Sequence, residues 1–325
     1  MSQLYSYIDG EDIFKIDEDS LNPIIDKFLY KGQYALLVAE EKVGKTLLAQ
    51  QIACSLSMGN ALFGKLAVTK PYKVWYMFNE VNENEFKDRF IRMRDGIEAN
   101  CDNIKLIKFQ FPFNSSIGQE QLNKILEENK GNYPDVLIVD ALYKAVGGSL
   151  NENKDVIAFN CCFSRFANDL GGCARIMVHH MKKPSKDIKT GKLYKAGDKD
   201  SYGSAFITAD IDHLFRLEKY IDGKYTERML KCKTQRSGKI VKVLRLNLIE
   251  PYPLYFESIS VYSKEKAILV KFINKNKKVT FKQMMEELKV KDSKLHLILH
   301  ELKTVDGLVD NTNTRPSLYH MVGTH

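Results

Sequence analysis

No run of about 18 consecutive apolar residues occurs in the 325-residue chain, so no membrane-spanning helix is expected. The first 19 residues are acidic and polar. They have neither a basic flank nor an apolar core, so no secretory leader is expected and the cytoplasm is the expected compartment. Six cysteines (Cys54, Cys101, Cys161, Cys162, Cys173, Cys232) form no C-x-x-C pair and no zinc-like spacing, which points to free thiols rather than a metal site or a disulfide framework. Internal repeats and low-complexity tracts are absent, which argues against a solenoid or a disordered linker protein.

What is present is a balanced soluble composition, 44% hydrophobic and 28% charged, in a chain long enough for two domains. The net charge of +8 is unevenly placed. From Ser263 onward, eleven Lys and one Arg oppose seven Asp plus Glu, a net +5 that leaves the preceding body nearly balanced. A basic tail on a neutral body suits a nucleic-acid contact, and a solvated charged surface has the same composition.

Short apolar runs alternate with helical patterns through the first two thirds. Strands are expected over 36–38, 73–78, 104–109, 136–139 and 174–178, with helices over 46–58, 83–94, 119–129 and 155–170. This alternation predicts an α/β fold, a mostly parallel sheet with helices on both faces. Residues 182–202 are Lys-rich and aperiodic and read as a loop. Three antiparallel strands are then expected over 212–217, 225–231 and 242–248, one turn carrying Asp222-Gly223. Residues 258–263 read as a linker. Helices over 264–274, 281–288 and 292–304 and strands over 308–310 and 317–321 then predict a winged helix-turn-helix over 264–325, after the α/β domain over 1–257.

The most informative segment is Ala39-Glu40-Glu41-Lys42-Val43-Gly44-Lys45-Thr46, which matches G-x-x-x-x-G-K-[ST] except at its first position, where Ala39 stands for Gly. That spacing curls backbone N–H groups around a phosphate in front of a helix N-terminus. Lys45 then serves the outer phosphates and the Thr46 hydroxyl serves Mg²⁺. Residues Glu41 to Leu47 are therefore expected to bind the phosphates of ATP. Hydrolysis requires a second strand that delivers an acid to the Mg²⁺ water shell, and Pro134-Asp135-Val136-Leu137-Ile138-Val139-Asp140 supplies it in Asp140. Glu80, beyond the strand at 73–78, is the candidate base for the attacking water, with a helix-capping acid as the alternative.

The segments AEEKVGKTLLAQQIACSLSMG, VWYMFNEVNENEFKDRF, PDVLIVDAL, IMVHHMKK and YGSAFITADIDHLFRL, over about 34–217, together resemble the RepA-like branch of RecA-type P-loop ATPases, the ring-forming plasmid helicases and their mobile-element relatives. The resemblance implies that His179 and His180 lie beside the γ-phosphate and relay nucleotide state to the lysine-rich loop at 182–202, which faces a central channel carrying single-stranded DNA. It also implies a hexameric homo-oligomer in which Arg236, supported by Lys233, reaches into a neighbour's site. A His pair at a strand end also suits a metal site, and 231–238 also reads as a plain basic strand. In the tail, Asp292 and Ser293 open the expected recognition helix, with Lys289, Lys291 and Lys294 around it for duplex DNA; a protein-docking winged helix has the same pattern. The function expected is an ATP-driven DNA-replication motor, a replicative helicase with no membrane partner. A non-motor ATP-dependent switch that loads or regulates other proteins and a RecA-like recombination accessory are the alternatives.

Overall fold

A computed structural model describes residues 22–79, 82–97, 101–181, 185–186, 193–194, 205–222, 225–236, 240–259, 263–300, 302–303, 308–312 and 316–322. A small antiparallel pair, β1 (Pro23–Ile25) and β2 (Leu29–Tyr30), precedes the sheet and was not expected from the sequence. The central strand β3 (Tyr34–Ala39) leads through the phosphate-loop segment into α1 (Lys45–Met58). Then follow β4 (Val74–Phe78), α2 (Glu83–Ile97), β5 (Ile104–Lys108), α3 (Ser116–Glu128) and β6 (Val136–Asp140). A single-turn helix α4 (Leu142–Ala145), helix α5 (Asn153–Asp169) and strand β7 (Ala174–His180) complete this half.

The short pair β8 (Ser185–Lys186) and β9 (Leu193–Tyr194) lies within the segment expected as a loop. Strands β10 (His213–Asp222), β11 (Tyr225–Gln235), β12 (Val243–Ile249) and β13 (Tyr255–Ser258) then extend the main sheet as an antiparallel meander. The nine strands run in the order β13-β12-β11-β10-β3-β7-β6-β4-β5, parallel from β5 to β10. In the parallel part the strand after β3 is three places away and the chain returns inward. The carboxyl ends of β3, β4, β6 and β7 therefore meet where such sheets bind ligands.

Alternation along each strand builds two cores. Ala35 and Leu37 of β3 face α1 and α2, while Leu36 and Val38 face α5. Every residue of β3, β4 and β6 is buried, as expected for central strands covered on both faces. Helix α1 is buried nearly all round because β13 closes over its outer side. The Gln51 amide donates to the Phe256 carbonyl at 2.6 Å and accepts from the Phe256 N–H at 2.6 Å, so a buried side chain pins the edge strand to the helix.

The remainder forms its own core. Helix α6 (Ser263–Asn276), strand β14 (Val279–Thr280), helices α7 (Phe281–Leu288) and α8 (Asp292–His300), and strands β15 (Val309–Asn311) and β16 (Leu318–Met321) enclose Leu269, Ile273, Met284, Leu295 and Ile298. Its three strands pair in the order β14-β16-β15, so β14 adds a third strand to the expected two. Thr280 and Gln283 form a reciprocal capping box that fixes the start of α7.

Candidate active site

The phosphate-loop segment bridges the end of β3 and the start of α1. Lys42 and Gly44 take left-handed backbone angles, φ 61° and 110°, which coil the loop into a concavity of N–H groups. Gly44 is required there. A Cβ would enter the left-handed region and lie 2.9 Å from Phe256 Cζ. Ala39, by contrast, is a regular strand residue paired with His180 and Leu217, so the position where the motif has glycine needs no special conformation in this chain. No side chain caps α1, and its first turn holds no acid, leaving its positive end open to an anion.

Lys45 is buried, and its ammonium donates to the Glu40 carbonyl at 3.3 Å and to His180 Nδ1 at 3.1 Å. An ammonium only donates, so His180 accepts through Nδ1 and carries its proton on Nε2. The ring also meets Tyr143 of α4 edge-on, with centroids 5.7 Å apart. The resemblance implied both histidines beside the γ-phosphate, but β7 runs through His180 rather than ending at Val178, and alternation sends the two to opposite faces. His180 meets Lys45. His179 is fully buried in the strand and is not among the residues lining the phosphate-loop cavity.

Asp140 ends β6 at the level of Phe78 on β4 and Val178 on β7, and is 2% exposed. Its Oδ2 accepts from the Tyr76 hydroxyl at 2.9 Å. Tyr76 is held in turn by Phe86 of α2, ring centroids 5.1 Å apart, so an aromatic pair orients the acid. Asp135, at the other end of the strand, accepts from the Lys73 N–H at 2.9 Å, a strand-start role. Glu80 lies outside the described residues, as do most of 182–204.

A cavity of about 750 Å³ opens over the loop, lined by Glu41 to Leu47 and His180. Its other walls come from Asn82 and Arg89 by α2, Lys219 of β10, Arg228 of β11, and Leu248 and Leu254 around β12 and β13. Arg228 is only 7% exposed, and its Nε donates to the Val43 carbonyl at 2.9 Å. Burial lowers its pKa, against the field of Glu250.

Lys233 and Arg236 stand apart from this cavity. Lys233 is the extra residue of a bulge, since Leu214 pairs with Thr234 and Phe215 with Cys232. Arg236 is exposed just beyond β11; its N–H donates to the Asp212 carbonyl at 2.9 Å and its guanidinium to the Ala209 carbonyl. Gln235 pairs with His213, which pairs with Ala35, four residues below Ala39. At 3.3 Å per residue and 4.8 Å per strand that is about 13 Å down and about 10 Å across, so neither residue serves Lys45 of its own chain.

The groups around the loop fit a nucleotide and its metal: open N–H groups, Lys45 for the phosphates, and the Thr46 hydroxyl as an oxygen donor of the kind Mg²⁺ takes; Asp140, at the end of β6, is not among the residues lining this cavity. Among the described residues, no helix is long and apolar enough to cross a membrane. No curated protein matches the chain by sequence. Among solved structures, the chain is similar to the flagellar accessory protein FlaH from Methanocaldococcus jannaschii, at 15% identity over 72% of this chain and 92% of that one, TM-score 0.44. It is similar also to a KaiC-like protein from Pyrococcus horikoshii, at 12% identity over 74% and 97%, TM-score 0.46. The AAA domain family matches residues 10–186, just over half of the chain. With the phosphate loop, the strand-end acid and the strand order described above, this chain belongs to the AAA domain family and is a P-loop ATPase with a RecA-like core.

Proposed function

We propose that this chain is an ATP-driven DNA-replication motor, a ring-forming replicative helicase of the RepA-like branch acting in the cytoplasm. The observation that carries the reading is the Lys45–His180 hydrogen bond at 3.1 Å. Lys45 must leave His180 for the outer phosphates when ATP binds. His180 ends the strand that runs directly into the Lys-rich segment at 182–202. Exchange of one hydrogen bond thus gives that segment a means of reading nucleotide state and of gripping a DNA backbone accordingly. Thr46 and Asp140 would hold Mg²⁺, the latter through water, and the metal supplies charge neutralisation at the phosphates.

The tail supports the same reading. Three helices with a three-stranded sheet suit a winged helix over 264–325, joined through 258–263 to the ATPase domain over 1–257. Its +5 charge suits duplex DNA. Lys294 of α8 pairs with Glu265 of α6 at 2.7 Å, so Lys289 and Lys291 carry more of that contact than Lys294.

In the ring, Arg236 acts in trans on the neighbour's γ-phosphate, with Lys233 in support. The test is subunit mixing. Arg236→Ala is expected to bind ATP with near-normal affinity and lose turnover by about 10³-fold. Mixing it with Lys45→Ala is then expected to restore part of the activity, because some interfaces join an intact loop to an intact finger. No rescue at any ratio, in preparations shown to exchange subunits, would remove the ring and leave the non-motor switch.

A further inference from the structure

The Arg228 guanidinium is nearly as buried as Lys45, yet no sequence motif marks it. It rises from β11 on the same sheet face as α1, where its neighbour Leu230 joins the core around that helix. Its two hydrogen bonds go to backbone carbonyls, Nε to Val43 at 2.9 Å and one terminal nitrogen to Glu227 at 3.2 Å. Among the described residues it forms no ion pair with a carboxylate, although burying an unpaired charge is costly. Such a charge is retained where it holds something that matters.

What it holds is the peptide joining Val43 to Gly44. In a trans peptide the carbonyl and the following N–H point in opposite directions. A guanidinium gripping the Val43 oxygen therefore turns the Gly44 N–H away from β11. Gly44 is also the most conformationally permissive residue of the loop, at φ 110°, and the one whose peptide most needs an external clamp.

We propose that Arg228 is a positioning residue for the phosphate loop, fixing the Val43–Gly44 peptide so that the Gly44 N–H faces the bound nucleotide's inner phosphates. The inference rests on the nucleotide site built above. The loop's N–H groups serve phosphates common to ADP and ATP. Loss of the clamp therefore weakens both nucleotides by the same factor, whereas direct contact with the terminal phosphate would weaken ATP alone.

The experiment measures ADP and ATP affinity by calorimetry with Mg²⁺ for the full chain, Arg228→Met and Arg228→Lys, each with a melting curve. Methionine keeps the bulk and removes charge and donor, so the fold is expected to hold or gain stability. Both nucleotides are expected to bind about 10- to 100-fold more weakly, the range for losing one charged hydrogen bond. Lysine keeps the charge but has a methylene where Arg228 places Nε, and is expected to lose affinity for both nucleotides alike. Unchanged affinity in both variants overturns the proposal, as does a loss confined to ATP. Should Arg228→Met melt early, Arg228→Lys decides: a folded protein with wild-type affinity for ADP and ATP refutes the clamp. A wild-type chain that binds neither nucleotide would instead sink the site itself.

Discussion

Replacing Gly44 with alanine perturbs the phosphate loop at one atom, and the structure sets its size. The added Cβ must accept φ 110°, which costs an L-residue about 1–2 kcal/mol. It also lies 2.9 Å from Phe256 Cζ, and Phe256 is fully buried with its backbone bound twice by Gln51 at 2.6 Å. The ring cannot swing aside cheaply, so overpacking adds about 1–3 kcal/mol. The total of about 2–5 kcal/mol must surface somewhere. If the free loop stays native, it lowers stability; if the free loop relaxes, it is repaid on binding. The sum of the unfolding loss and the ATP-binding loss is therefore the quantity to compare with this estimate, by denaturant titration and calorimetry on the same preparations. Taken wholly as binding, it is roughly 30- to several-thousand-fold in Kd. In a Phe256→Leu background the packing part should vanish and the left-handed part persist. Gly44→Ala with wild-type stability and wild-type ATP affinity would refute both the loop conformation and the part β13 has in closing it.

Glu80→Gln is expected to retain ATP binding and lose turnover, since the amide keeps the shape and takes no proton; weaker binding with turnover per bound ATP intact would make it a helix cap instead. Deleting 263–325, a unit with its own core, is expected to leave basal ATPase and to flatten the salt dependence of duplex binding by about 0.9 in log–log slope per lost phosphate contact. An unchanged slope, measured by anisotropy across a salt series, would make the tail a protein-docking module.

The elements that hold the site were legible wherever chemistry is tied to local order. Val43 to Thr46 between an apolar strand and a helix, and Asp140 closing an apolar run, reveal themselves because each signal is written in a few consecutive residues. The histidine pair was half legible. Sequence brought both to one strand end, but the register pairing Ala39 with His180, and the strand's continuation through it, decide that only His180 faces Lys45. Ala39 stood out against the motif and proved an ordinary strand residue, because the turn begins after it. Arg228, Tyr76 and Gln51 carried no signal. Arg228 meets Val43 across 185 residues, Gln51 meets Phe256 across 205, and Tyr76 meets Asp140 across 64. Strand β13 was missed because Pro251 and Pro253 precede it and its apolar content is short, so only its pairing with β12 and its burial against α1 reveal it as a strand.

The central claim is that Lys45 serves the phosphates of ATP in a working hydrolytic site. Its most direct test is the rate of phosphate release from Mg-ATP by the wild-type chain and by Lys45→Ala, each with its melting temperature. The Lys45 ammonium donates to the Glu40 carbonyl and to the His180 imidazole at the mouth of the cavity. Its removal should therefore leave the fold intact and reduce turnover to background. A folded Lys45→Ala protein that released phosphate at the wild-type rate would contradict the assignment of the site and the motor built upon it.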